Sequence, residues 1–249
     1  MLEAMAQILA SISADRFVDW LGPRLSNRYL GRLLSLSIGE LLFVLPHREL
    51  EPTAILPRVA LEDVLAMQNI LEVLKKSKWK GSVGFRDVSS LSDNDKKRNI
   101  VTIGGPEANS FTQEVLNTLP PKECLKFEPD PSCETQWIIR RGQITTYRSG
   151  SYAVPDGSPP EIERADVGII VKTKNPYNDS SSVLAVAGVR GIGTWGAADY
   201  LRKQSKELYS RKRRGKGMRK DGAFAVVLVA HYRNLDIKSV EIRDFVDLS

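Results

Sequence analysis

The chain has 249 residues, 42% of them hydrophobic and 27% charged, which allows a sizeable core and argues against wholesale disorder. Its formal charge of +6 is concentrated: residues 202–220 hold ten Lys or Arg against Glu207, a net +9, so the rest of the chain is −3 (6 − 9). That imbalance disfavours a nucleic-acid partner, which calls for a broad basic face.

No run approaches the roughly 20 apolar residues of a membrane-spanning helix. No secretory signal is visible, and Cys124 and Cys133 make no disulfide framework. A soluble cytoplasmic location is the expectation.

Residues 1–38 predict a helical hairpin. Leu2, Met5, Ile8, Leu9 and Ile12 fall on one face, and Gly22-Pro23 separates them from a second helix with Leu25, Leu30, Leu33 and Leu34 inside. Arg24, Arg28 and Arg32 make a basic stripe on that helix. The stripe fits a solvated face, a homo-oligomer contact or a peripheral membrane contact.

Residues 39–249 predict an α/β core. Leu41–Leu45 reads as a buried strand and residues 60–77 as a helix, with Glu62 and Asp63 in its first turn and Val64, Met67, Leu71 and Leu74 on one face. Ser82–Arg86 and Asn99–Ile103 read as strands, and Phe111–Leu119 as a helix stopped by Pro120-Pro121. Residues 123–164 read as shorter strands and loops, including a hairpin around Gly142. Asp166–Lys174, Ser182–Val189 and Ala223–Tyr232 are strong apolar strands, Ala197–Tyr209 is a helix, residues 210–222 form a basic loop, and Val240–Val246 closes the chain. Alternation of strands and helices predicts a mostly parallel sheet with helices on both faces, and the Asn175-Pro-Tyr-Asn-Asp-Ser turn between two strands suggests at least one antiparallel pair, so the sheet is expected to be mixed.

Two glycine-rich segments each follow a strand and precede a helix. In the first, Gly104-Gly105-Pro106, adjacent glycines allow a sharp turn, and Asn109 or Ser110 can cap the next helix. In the second, Gly191-x-Gly193-x-x-Gly196 has the spacing of a Rossmann-like dinucleotide fingerprint, and Thr194 could cap the helix or bind a phosphate oxygen. The acid that completes such a fingerprint is missing, because Ala223–Ala230 ends in His231-Tyr232-Arg233. The expectation is a nucleotide or other phosphorylated ligand held by Gly104, Gly105, Asn109, Ser110, Gly191, Gly193, Thr194 and Gly196. Arg211, Arg213 and Arg214 of the basic loop would be anion contacts.

Metal chemistry has no support, since His47 and His231 are the only histidines and the cysteine spacing suits no zinc site. The carboxylates available for catalysis are Glu107 and Glu62, with Asp63 and Asp199 as further candidates. An N-glycosidase-type hydrolase that cleaves a nucleotide or NAD needs one activating carboxylate, so it stands as the alternative to a binding module, sensor or interaction module. A structural assembly protein is a third possibility.

The segment from Asn99 to Leu201 carries three short motifs: Ile100-Val-Thr-Ile-Gly-Gly-Pro-Glu-Ala-Asn109; Asp166-Val-Gly-Ile-Ile-Val followed by Asn175-Pro-Tyr-Asn178; and Val183-Leu-Ala-Val-Ala-Gly188 followed by Gly193-Thr194, Ala197-Ala198 and Leu201. In these it resembles S-layer-like domains and related uncharacterised prokaryotic proteins. The resemblance implies a shared α/β core in which the two glycine segments meet, and it implies no activity. Exported members of that group build cell-surface layers.

Overall fold

A computed structural model describes residues 40–47, 60–77, 79–120, 125–142, 145–154, 159, 162–214 and 222–248, with backbone alone at 134–135, 152–153, 206 and 209–214. The predicted hairpin of residues 1–38 lies outside the described residues.

Ten strands and four α-helices occur among the described residues. In chain order they are β1 (Glu40–Leu45), α1 (Leu61–Lys76), β2 (Ser82–Asp87), α2 (Asp93–Lys96), β3 (Asn99–Ile103), α3 (Ser110–Asn117), β4 (Leu125–Asp130), β5 (Cys133–Arg141), β6 (Thr145–Arg148), β7 (Arg164–Asn175), β8 (Asn178–Gly188), α4 (Gly191–Arg214), β9 (Phe224–Arg233) and β10 (Asp236–Asp247). Seven strands make the main sheet in the order β10-β9-β7-β8-β3-β1-β2, and β4-β5-β6 make a second, antiparallel sheet.

The sheet corrects the sequence-based expectation in two respects. It is not mostly parallel: β2-β1, β1-β3 and β3-β8 pair parallel, whereas β8-β7, β7-β9 and β9-β10 pair antiparallel. The parallel and antiparallel halves meet at β8. Two tight hairpins, β7-β8 and β9-β10, impose two of the three antiparallel pairs, because a two-residue connection permits no crossover, and the third arises where α4 carries the chain from β8 past β7 to β9. Nor do helices alone cover both faces. α1 and α4 pack on one face, where Phe43, Val101, Ile103, Ile170, Leu184, Val186 and Phe224 meet Met67, Ile70, Ala198 and Leu201. The opposite face is covered by the second sheet, through Leu125, Phe127 and Ile139, together with the two-turn helix α3.

The Asn175-Pro-Tyr-Asn178 segment closes the β7-β8 hairpin, and its amides work within the fold. Asn175 Nδ2 donates to the Lys96 and Arg98 carbonyls at 2.7 and 2.6 Å, and Asn178 Nδ2 donates to the Lys97 carbonyl at 2.9 Å. The turn therefore satisfies carbonyls left at the end of α2 and anchors the start of β3.

The longest helix also departs from expectation. α4 starts at Gly191 and reaches Arg214, with a break in helical geometry at Gln204 (φ −120°, ψ 21°). The Gly191–Gly196 segment is thus the opening of the helix and not a loop before it. Its glycines answer a packing demand. Gly168 of β7 and Gly188 of β8 are register partners, and the first turn of α4 lies directly over them. A Cβ on Gly193 would stand 2.2 Å from the Val167 carbonyl oxygen, one on Gly168 would stand 2.2 Å from the Gly193 carbonyl oxygen, and one on Gly188 would stand 2.3 Å from the Thr194 nitrogen. Backbone cannot yield as a flexible side chain can, so all three positions exclude a side chain. We expect Gly193→Ala to lower stability by about 3 kcal/mol. Urea denaturation checks this, and a loss below about 0.5 kcal/mol would mean that the helix does not approach so closely.

Candidate functional site

A cleft of about 830 Å³ opens at the carboxyl ends of β3, β8 and β9. This is the rim of an α/β sheet where ligands collect. Both glycine segments border it: Gly104, Gly105, Pro106 and Glu107 from the first, and Gly191, Ile192 and Thr194 from the second. The first turn of α1 contributes Glu62 and Asp63. Arg190 lies between β8 and α4, and Arg164 opens β7. Phe127 and Trp137 reach in from the second sheet.

Local chemistry explains how the first segment is held. Gly104 adopts φ +96°, a conformation that glycine takes without strain, and Pro46 packs against it. The Gly104 N–H donates to the Val186 carbonyl at 3.0 Å, which ties this turn to β8. Gly105 lies so close to β8 that a Cβ there would be 2.9 Å from the Gly188 carbonyl oxygen. Asn109 is fully buried and spends its side chain on the backbone. Its Oδ1 accepts the Thr112 N–H and so caps α3, while Nδ2 donates to the Ile103 carbonyl at 2.8 Å and the Val44 carbonyl at 3.2 Å.

The second segment is fixed by a carboxylate to which the sequence assigned no role. Asp166 of β7 is completely buried. Its Oδ2 accepts the Gly193 N–H at 2.6 Å, and its Oδ1 accepts its neighbour's N–H, that of Val167, at 2.8 Å. The Gly193 amide is therefore engaged inside the protein. Burial pushes the Asp166 carboxyl up to about 6, against the pull of hydrogen bonds from Ser149, Gly193 and Val167 and of the nearby Arg190 charge.

The eight predicted ligand residues separate into two groups. Gly104, Gly105, Gly191 and Thr194 line the cleft. Asn109, Ser110, Gly193 and Gly196 do not: Asn109 is a buried cap, Ser110 is exposed at the start of α3, Gly193 sits on β7, and a Cβ on Gly196 would stand 2.4 Å from Ala230 Cβ. Both catalytic candidates, Glu62 and Glu107, line the cleft. Asp199 lies apart from it, bonded to Arg202 at 2.7 Å and Lys203 at 2.8 Å. The predicted anion contacts Arg211, Arg213 and Arg214 fall in the last turn of α4, where only the backbone is described. They are 20 or more residues from Gly191, beyond the break at Gln204, and none of them is among the described residues that line the cleft. Residues 215–221 lie outside the described residues.

A second polar cluster stands at the ends of β1 and β2. His47 Nδ1 lies 3.2 Å from both Asp87 oxygens, and Ser89 Oγ donates to Asp87 Oδ1 at 2.6 Å. Ser89 Oγ is also 3.4 Å from that same Nδ1. A nucleophile relay needs the serine on one ring nitrogen and the carboxylate on the other, so this trio is not one. Burial raises the Asp87 carboxyl, but hydrogen bonds from Ser89 and His47 outweigh it and hold the group below the usual range.

No protein-family model and no curated protein sequence matches this chain. Among the described residues, no group of three or more His, Cys, Asp or Glu side chains is placed to hold a metal ion, and no helix is long and apolar enough to cross a membrane.

Asp166 gives a pH prediction. Its carboxyl is raised in the folded protein from an ordinary 3.8 to about 6, so the native state holds a proton that the unfolded state releases. Its contribution to stability is full below about pH 4 and is lost as pH rises through 6. The stability of the wild type relative to Asp166→Asn should fall by about 2–3 kcal/mol between pH 4 and pH 7, measured by urea denaturation. Parallel pH profiles for the two proteins would show that Asp166 does not titrate in this way.

Proposed function

We propose that this chain is a binding module for a phosphorylated small molecule, nucleotides included, seated in the cleft at the carboxyl rim of the main sheet. The observation that carries the proposal is the meeting of both glycine segments, the first turns of α1 and α4, and Arg164 and Arg190 around one open cleft. The first amides of a helix have no partner within it and point off its amino end, where the helix dipole favours an anion. Arginine adds a forked donor suited to phosphate oxygens. The site is adapted from the expected one: the anion would meet the outermost amides of α4, at Gly191 and Ile192, and not that of Gly193.

The antiparallel half of the sheet separates this site from a dinucleotide fold. β7 lies between β8 and β9, so the β8-α4-β9 unit does not join adjacent parallel strands. The ligand class therefore rests on the cleft and not on the GxGxxG spacing.

A hydrolase acting on the same ligand is the second reading, favoured by one observation: Glu62 and Glu107 both border the cleft. Cleavage of an N-glycosidic bond would use one of them as the activating carboxylate beside the bound phosphate.

Thermal unfolding with inorganic phosphate, ribose 5-phosphate and the four ribonucleoside monophosphates tests binding. A ligand at ten times its Kd should raise Tm by about 3–6 °C, and Arg190→Ala should weaken binding about tenfold relative to the wild type, each measured against its own unliganded Tm. The absence of any shift at millimolar concentration contradicts the proposal. Chromatography of the same mixtures tests cleavage. Release of free base by the wild type, lost in Glu62→Gln or Glu107→Gln, would replace the binding module with the hydrolase.

A further inference from the structure

We infer that the phosphorylated ligand is a nucleoside phosphate whose base stacks on Trp137; the inference rests on the phosphate-binding reading above. The cleft has two chemically different sides. One carries the glycine segments, the helix starts and Arg190, together with the carboxylates of Glu62, Asp63 and Glu107. The other is supplied by the second sheet, which places aromatic rings at the cleft wall.

The strand register explains why two rings stand there. Phe127 of β4 pairs with Ile139 of β5, and Trp137 lies two residues before Ile139. Side chains alternate along a strand, so Phe127, Ile139 and Trp137 share the sheet face that turns toward the main sheet. Phe127 and Ile139 are buried in the core between the two sheets, and Trp137, half-buried, packs at the edge of the same cluster. Phe127 Cε1 comes within 3.9 Å of the point where a Cβ on Gly105 would sit, so the aromatic side meets the glycine side directly. Trp137 is thereby anchored from beneath by packing and still lines the cleft. A ring already held by packing costs little entropy to order on binding.

Size and chemistry agree. The cleft volume of about 830 Å³ lies in the range of sites for drug-sized ligands, far larger than a phosphate ion needs. An anion side beside an aromatic side matches a ligand with a phosphate at one end and a flat heteroaromatic ring at the other.

Isothermal titration of the full chain with AMP, GMP, CMP, UMP and ribose 5-phosphate tests this. At least one nucleotide should bind at least tenfold tighter than ribose 5-phosphate. Trp137→Ala should erase that difference without weakening ribose 5-phosphate, whereas Trp137→Phe should keep most of it. Melting curves of both variants establish that they fold, and the Phe variant serves if the Ala variant does not. Nucleotides that bind no tighter than ribose 5-phosphate would overturn base stacking and leave phosphate binding standing, as would an intact preference in folded Trp137→Ala. Failure of all five ligands to bind would remove both proposals.

Discussion

The first turn of α4 lies backbone to backbone against the β7-β8 pair, and the bond from the Gly193 N–H to the buried Asp166 carboxylate secures it. Three glycines on three elements permit the approach, because side chains at Gly168, Gly188 and Gly193 would each collide with backbone. Contact this intimate leaves Gly193's amide beyond reach of water, and Asp166 supplies the acceptor that a buried donor requires. The arrangement fixes where the helix begins. It therefore fixes where Gly191, Ile192 and Thr194 stand relative to the Gly104–Glu107 turn on the neighbouring strand.

The cleft is a consequence of that placement. β3 and β8 run parallel and end side by side, and the Gly104 N–H bond to Val186 ties one strand end to the other. Both chains then turn away from the sheet, one through a left-handed glycine and the other into a helix. The second sheet closes the far side with Phe127 and Trp137. No single segment makes the site: it takes strand ends from the main sheet, helix starts from one face and aromatic rings from the other.

Local chemistry was legible in the sequence wherever the signal was local. The apolar strands, the α1 helix with its acidic first turn and the importance of both glycine segments could all be read from pattern alone. The role of the second segment could not. Gly191-x-Gly193-x-x-Gly196 has the same spacing whether its glycines admit a phosphate or a β-strand, and only the partner across the gap decides. That partner, Asp166 with Val167 and Gly168, lies 25 or more residues earlier in an uninterrupted strand, and the short motif it opens says nothing of a contact with Gly193. Trp137 was hidden for the same reason. It sits in a stretch that reads as short strands and loops, and its place at the cleft follows from how a separate sheet docks. The mostly parallel expectation failed at the hairpins, where Asn175–Asn178 signalled one antiparallel pair and the Asn234 turn, with φ 56°, produced another that the apolar run of β9 gave no reason to expect. The basic run after Tyr209 looked like a loop because of its like charges, yet helical backbone continues to Arg214.

The account depends on the outer amides of the rim being open to a ligand while the inner ones serve the fold. Amide NMR on the labelled protein, titrated with phosphate and then with the tightest nucleotide, observes both sets at once. The account predicts progressive shifts at Gly105, Glu107, Gly191 and Ile192, with the Gly193 and Gly196 resonances slow to exchange and little changed. Largest shifts at Gly193 and Gly196, or shifts confined to residues outside the cleft, would contradict it.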